Sequence, residues 1–200
     1  MTGWLVAFEG VDGAGKSTQL RLLGERLRLR GIEWLATREP TDGPWGVKIR
    51  ASAQSERMSP NDELDAFVAD RRQHVDEVIA PALAAGKVVL IDRYYFSTVA
   101  YQGARGLEID AVYAANAFAP EPDLLFVFDL DPSIGLARVA KRGVADLFEK
   151  EDEQRRVREI FASITLAPRD GRERLLRVDA DRDPDAIGEE IWSAVHRLLG

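Results

Sequence analysis

Between Gly10 and Ser17 the chain reads G-V-D-G-A-G-K-S, a match to G-x-x-x-x-G-K-[ST] between an apolar run and a leucine-rich periodic segment. Glycines at this spacing let the backbone curl until successive N–H groups point at one anion. The start of the following helix adds free N–H groups and a positive dipole end. In such a loop Lys16 is expected to face solvent and sit on the β- and γ-phosphates of a nucleotide, and the Ser17 hydroxyl to hold Mg²⁺. The backbone from Gly10 through Val11, Asp12, Gly13, Ala14 and Gly15 to Thr18 completes the cradle. A second chemical signal is Lys87-Val-Val-Leu-Ile91 followed by Asp92. A buried strand that ends in a carboxylate, beside a phosphate loop, places an acid near the metal. Ser17 and Asp92 are therefore the expected metal pair.

The elements that must hold these groups alternate. Trp4–Phe8 reads as the first strand and Lys16 to about Arg30 as a helix closed by Gly31, with Leu20, Leu22, Leu23, Leu27 and Leu29 as its buried stripe. Glu33–Thr37 reads as a second strand, followed by the turn-rich R-E-P-T-D-G-P-W-G and a short helical stretch over 47–53. A long helix is predicted over Asn61–Ala85, capped by Ser59 or Asn61 and stopped by Gly86. After the Asp92 strand come a helix over 108–117, a strand over Leu124–Asp129 and a short helix over 133–142. A basic helix carries Arg155, Arg156 and Arg158, 174–178 forms a fifth strand, and 184–199 a closing amphipathic helix. The fold class is α/β: a P-loop NTPase fold, a five-stranded parallel sheet with helices on both faces and a short helical lid at about 138–155, all in one domain over 1–200.

Loops at strand C-termini are where such sheets bind ligands, which makes Arg38 and Arg50 candidates for a second anion or ordinary surface arginines. Phe67 and Arg71 lie four apart on one helical face. They could stack on a base and bond its edge, or be core packing beside a surface charge. His74 and His196 have no metal-spaced partner and read as structural. Arg138, Lys141 and Arg142 cluster at helical spacing ahead of an acidic stretch, as a mobile lid or a solvated hairpin would.

The chain's net charge of −7 argues against a nucleic-acid surface but not against a nucleotide. There is no cysteine, so neither disulfides nor thiolate zinc sites form. No apolar run approaches the ~18 residues of a membrane span, and the first strand starts too early for a signal peptide. A cytoplasmic protein is expected.

A donor loop, an acid at a strand end and arginines on later segments suit phosphoryl transfer, which needs two anions in line under cations with water excluded. No N-K-x-D signature points to a GTPase. The chain resembles the bacterial thymidylate kinases over nearly its whole length, through F-E-G-V-D-G-A-G-K-S-T, T-R-E-P, F-V-A-D-R, D-R-Y-Y-F-S-T-V-A-Y-Q-G, P-D-L-L-F-V-F-D-L-D-P and F-E-K-E-D followed by R-R-V-R-E. The resemblance implies an ATP:dTMP phosphotransferase using Mg²⁺. It implies that Phe67 stacks on thymine, that Arg71 donates to its O4, and that Thr98 and Gln102 lie along the base edge. Tyr101 packs on the sugar, Arg93 with Arg38 and Arg50 holds the acceptor phosphate, and Asp12 and Glu9 lie near acceptor and metal. It also implies a homodimer through helices matching Asn61–Ala85 and the one after Asp92. The competing readings are another nucleoside monophosphate kinase and a non-catalytic nucleotide-binding module. Three departures stand out. Thr41-Asp42-Gly43-Pro44-Trp45 replaces a glycine pair, Leu147 stands where an arginine is common, and the phosphate loop has no arginine. The last matches the branch whose catalytic arginine comes from the lid, here Arg138 or Arg142.

Overall fold

The computed structural model describes residues 3–140 and 148–200. Five strands, β1 (Trp4–Gly10), β2 (Trp34–Arg38), β3 (Val88–Asp92), β4 (Leu124–Asp129) and β5 (Leu175–Asp179), form one parallel sheet in the order β2-β3-β1-β4-β5. The central strands are almost wholly apolar: Leu5, Val6, Ala7, Phe8, Val89, Leu90, Ile91, Leu125 and Phe126 are all buried. Unbroken runs of this kind are what a parallel sheet covered on both faces requires.

The helices are α1 (Lys16–Leu29), α2 (Pro44–Gln54), α3 (Pro60–His74), α4 (Ala80–Ala84), α5 (Tyr95–Ala104), α6 (Ile109–Ala115), α7 (Pro132–Ala140), α8 (Phe148–Ser163) and α9 (Pro184–Leu199). From β1 the chain first steps outward to β2, and from β3 it steps across β1 to β4. Right-handed crossovers in opposite directions put their helices on opposite faces. On that basis α1, packed with α9, covers one side, and α5, packed with α8, covers the other. Reversal of strand order beside β1 opens a crevice at the strands' C-terminal ends, and the phosphate loop, Asp92 and Asp129 all lie there.

Local details depart from the sequence reading. In α1 the buried stripe is Leu20, Leu23 and Leu27, whereas Leu29 is 72% exposed, because a 3.6-residue period brings 20, 23 and 27 to one side and leaves 29 off it. The long predicted helix starts at Pro60 under a Ser59 cap whose hydroxyl accepts from the Asp62 N–H. It does not run unbroken to Ala85: Val75–Ile79 form a π-helical turn, with the Ala80 N–H bonding the Val75 carbonyl, before α4 resumes. Pro81 has no N–H to give the carbonyl four residues back, and its ring crowds that carbonyl; widening the preceding turn relieves both. Lys141, Arg142, Gly143, Asp146 and Leu147, and with them much of the predicted lid, lie outside the described residues. No helix among the described residues is long and apolar enough to cross a membrane.

The phosphate loop is held from above by α7. A Cβ on Gly13 would meet the Gly135 carbonyl oxygen at 2.3 Å, and one on Gly135 would meet the Asp12 carbonyl oxygen at 2.3 Å. Neither partner can yield, since both are backbone. Gly135→Ala should therefore cost about 1–3 kcal/mol and lower the melting temperature by roughly 2–10 °C. An unchanged melting curve would mean that α7 does not set the loop's position.

Candidate active site: a phosphate loop beside an acceptor cavity

Gly10 (φ 138°), Gly13 (φ 77°) and Gly15 (φ 88°) all take positive φ, which side chains with a Cβ rarely adopt. Gly15 is the N-cap of α1, no side chain caps it, and the first turn holds no acid. The first N–H groups of α1 are thus left to bind an anion. Lys16 does not face solvent as expected. It is 6% exposed, and its ammonium donates to the Gly10 carbonyl at 2.9 Å and the Val11 carbonyl at 2.8 Å. A cation with three donors takes the nearest acceptors, here its own loop. Burial, helped by the nearby Arg93 charge, pushes its pKa down to about 7. Val11 and Ala14 are buried beneath the loop, and Thr18 is exposed.

The structure brings the predicted metal pair together: the Ser17 hydroxyl bonds the Asp92 carboxylate. These are hard oxygen donors of the kind Mg²⁺ takes, usually with phosphate oxygens and water completing its shell. The described residues include no group of three or more His, Cys, Asp or Glu that could cage a metal alone.

Arg93 follows β3 with φ 67°, an uncommon conformation for a residue with a side chain, found mostly where surrounding structure enforces it. Its Nη2 donates to Asp12 Oδ1 at 2.5 Å, its Nη1 to Ser97 Oγ at 3.0 Å and the Gly10 carbonyl at 3.3 Å, and the group lies 5.2 Å from the Tyr101 ring centre. Burial opposes its charge, but Tyr101, Asp12, Glu9 and Asp92 outweigh that and raise its pKa further.

Arg93 borders a cavity of about 250 Å³, whose wall includes Asp12, Arg50, Phe67, Arg71, Thr98, Tyr101 and Gln102. Eight predicted residues, counting Arg93, thus converge. Phe67 is half-buried on α3. Arg71, on the same helix, is 1% exposed. Its Nε and Nη2 bond Glu39 Oε2 at 2.8 and 2.6 Å, its Nη2 also reaches Thr98 Oγ1 at 3.0 Å, and its Nη1 bonds Asn116 Oδ1. His74 plays the structural part expected of it, with Nδ1 3.0 Å from Glu39 Oε1 and Nε2 2.6 Å from Thr37 Oγ1. Arg50 is held by the Pro40 and Thr41 carbonyls at 3.0 and 2.7 Å. The loop that departs from the glycine pair is tied down by Asp70, which accepts from Thr41 N at 2.8 Å and Thr41 Oγ1 at 2.6 Å.

Two residues expected on the acceptor side lie outside this wall. Arg38 is exposed, pairs with Asp42 at 2.9 Å, and borders a separate hollow together with Ser17 and Asp92. Glu9 lies beneath, fully buried, with Oε1 accepting from the N–H groups of Tyr94 and Ser97 at 2.7 and 3.1 Å and Oε2 from Ser97 Oγ at 2.5 Å. Arg138 sits against the loop, with Nη1 3.4 Å from the Gly13 carbonyl and 3.3 Å from that of Ala180, and Nη2 3.2 Å from Asp181. Arg142 lies outside the described residues. Sequence reasoning assigned nothing to Glu39, Glu63, Ser97 or Asn116. Glu39 belongs to the quoted T-R-E-P and Ser97 to the quoted D-R-Y-Y-F-S-T-V-A-Y-Q-G; Glu63 and Asn116 carry no local signal.

Comparison with known proteins adds a family match. The family model described as thymidylate kinase matches residues 8–191. The thymidylate kinase of Xanthomonas campestris pv. campestris (strain B100) is 48% identical over 198 residues, covering 98% of this chain and 85% of that one. That of Xylella fastidiosa (strain M12) is 50% identical over 165 residues, 82% of this chain and 76% of that one.

Burial pushes Glu9 up from 4.5 to about 7, against the lowering effects of Ser97, Arg93 and the Tyr94 N–H. Its proton is thus retained in the folded state and lost in the unfolded one across that window. The stability it lends is full below about 4.5 and is lost as pH rises through about 7. Glu9→Gln keeps the shape and removes the slope. In urea melts the variant should gain on the parent by roughly 2–3 kcal/mol between pH ~5 and ~8. Parallel pH curves would show that Glu9 keeps an ordinary carboxylate pKa.

Proposed function

This chain belongs to the thymidylate kinase family and phosphorylates dTMP, and we propose how its residues divide that task. ATP is the donor, with its phosphates on the loop from Gly10 to Thr18 and the first turn of α1. Mg²⁺ joins it through Ser17 and Asp92, whose adjacent hydroxyl and carboxylate suit it; when bound it supplies charge against the phosphate oxygens. Lys16 gives up its two loop carbonyls for those oxygens. Both carbonyls belong to the loop itself, so the exchange needs little movement.

The observation that carries this reading is Arg93, which touches the phosphate loop at the Gly10 carbonyl and also borders the acceptor cavity. A phosphate held there lies beside the donor's terminal phosphate, which is the in-line placement phosphoryl transfer needs. The nucleoside fills the cavity, with thymine on Phe67 and the sugar against Tyr101. Arg71 has five N–H donors. Nε, both Nη2 hydrogens and one Nη1 hydrogen meet Glu39, Thr98 and Asn116, which leaves one Nη1 hydrogen for thymine O4. Arg50 adds positive charge toward the acceptor phosphate, with Arg38 nearer the metal. Arg138, against Gly13, and Arg142 supply the lid's cation, since the phosphate loop has no arginine. A cytoplasmic homodimer, paired through α3 with its π turn and α5, completes the reading, and the family resemblance is its support.

An enzyme-linked ADP-release assay tests the acceptor. Cytosine offers an amine where thymine offers O4, and a buried mismatch against an arginine costs about 1–3 kcal/mol or more. Uracil lacks only a methyl group, worth about 1 kcal/mol. The expected order is dTMP, then dUMP modestly behind, then dCMP far behind, and dCMP turnover equal to that of dTMP would remove Arg71 from base recognition.

The cations are tested separately. Lys16→Met should lower kcat by about 10²–10³-fold in a protein that still folds. Arg138→Ala or Arg142→Ala should lower kcat by about 10³-fold with little change in dTMP binding. Wild-type kcat in both arginine variants would reduce the lid to a cover.

A further inference from the structure

We propose that Glu63 is a positioning residue that fixes the Gln102 side-chain amide, so that its carbonyl rather than its amino group faces the nucleobase and selects bases carrying a hydrogen at ring position 3. The proposal rests on the reading that the base of dTMP fills the cavity beside Phe67 and Arg71.

Two helices face each other across that cavity. From α3 come Glu63 and, two turns on, Arg71; from α5 come Thr98 and, one turn on, Gln102. They meet in two rungs: Arg71 Nη2 donates to Thr98 Oγ1 at 3.0 Å, and Gln102 Nε2 donates to Glu63 Oε2 at 2.5 Å. Glu63 is 3% exposed and also accepts from Arg105 Nη1 at 2.5 Å and from Arg57 Nε and Nη2 at 3.1 and 3.4 Å. Two guanidinium groups on one carboxylate favour its ionised form. Although burial works the other way, Arg57, Gln102 and Arg105 prevail and lower its pKa.

An ionised carboxylate only accepts hydrogen bonds. The Gln102 amide must therefore turn its NH₂ to Glu63, and this dictates where its oxygen goes. That oxygen, Oε1, is buried without a partner among the described residues, in a side chain that borders the cavity. Buried polar atoms nearly always have partners, so an orphaned acceptor beside a ligand cavity points to a donor on the ligand.

The wall then presents a donor, Arg71, and next to it an acceptor, Gln102. Thymine presents O4, an acceptor, next to N3–H, a donor. Cytosine presents the reverse at both positions. Glu63 thus doubles the discrimination that Arg71 alone provides, without touching the base. Replacing its carboxylate by an amide would free Gln102 to flip and offer N–H to the cytosine ring nitrogen.

The test compares kcat/KM for dTMP and dCMP in the parent enzyme, Glu63→Gln and Arg105→Gln, with folding checked by thermal melts. Glu63→Gln should shrink the dTMP:dCMP ratio by about tenfold, the scale of one neutral hydrogen bond. Arg105→Gln loosens the same cluster but keeps the acceptor-only carboxylate, and should hold the ratio within about twofold. A second arm uses the parent enzyme and N3-methyl-dTMP, which keeps O4 but has no N3–H to donate; its KM should rise at least about tenfold over that of dTMP, and this arm decides if Glu63→Gln does not fold. A folded Glu63→Gln enzyme with the parental ratio, an equal loss in Arg105→Gln, or full use of the N3-methyl analogue would each overturn the role of Glu63. Failure of the parent enzyme to prefer dTMP at all would instead overturn the base-site reading beneath it.

Discussion

Parallel pairing of β1 with β3, in the register that sets Phe8 opposite Asp92, is the constraint on which the site depends. Because β1 runs only two residues past the partner of Asp92, the loop leaving β1 and the turn leaving β3 emerge side by side. Ser17 then meets Asp92, and Asp12 meets Arg93. A slip of one residue would turn every side chain of β3 to the opposite face, placing Asp92 under the sheet and parting both pairs. The all-apolar run of β3, buried along Val88–Ile91, does not by itself choose this register. The half-buried carboxylate at its end and the left-handed turn at Arg93 are what distinguish one end of the strand from the other.

Behind the cavity the cost of burying charge is met by mutual satisfaction. Arg71, Glu39, His74 and Asn116 form one buried cluster and Glu63, Gln102 and Arg105 another. Buried ion pairs contribute little net stability, so these clusters are better understood as fixing orientation. A guanidinium held on several sides cannot rotate away, and a glutamine tied to a carboxylate cannot flip. The phosphate loop is built differently: Lys16 is held by two carbonyls of its own loop, bonds that a phosphate can readily outcompete. The acceptor side is rigid by charge pairing, and the donor side is adjustable by exchange.

Much of this was legible in the sequence, for identifiable reasons. Central parallel strands read as apolar runs, and β1, β3 and β4 were placed almost to the residue. The phosphate loop carries its meaning in its spacing. The π turn at Val75–Ile79 was not legible, since a helix pattern does not say which carbonyl each N–H will choose. Helix α5 shows no periodicity because nearly every side chain from Tyr95 to Ala100 is buried, so no polar face marks a period, and family resemblance alone suggested a helix there. Leu29 misled because composition was read ahead of phase. Glu39, Glu63 and Asn116 were missed because a lone acid or amide looks like a solvated surface group until a distant element packs upon it. Lys16 was misjudged for a related reason: its partners are backbone carbonyls, which no side-chain pattern records.

The charge of the molecule is at odds with its task, for a chain with net charge −7 must hold two polyanions. Distance resolves the conflict. Exposed charges more than about 8 Å apart are largely screened at physiological salt, so the acidic surface has little reach into the crevice. Within it, Lys16 and Arg93 are fixed at short range and Arg93 is raised well above its ordinary pKa, in a setting of lower dielectric where each contact counts for more. The acids among them are few and already bonded: Asp12 to Arg93, Asp92 to Ser17, and Glu9 to backbone N–H groups with a pKa pushed up to about 7. A Glu9 whose pKa is pushed up to about 7 is partly protonated near neutrality and adds less negative charge beneath the place where phosphates meet. The site's electrostatics are thus set by which groups are buried together, and the net charge of the chain says little about them.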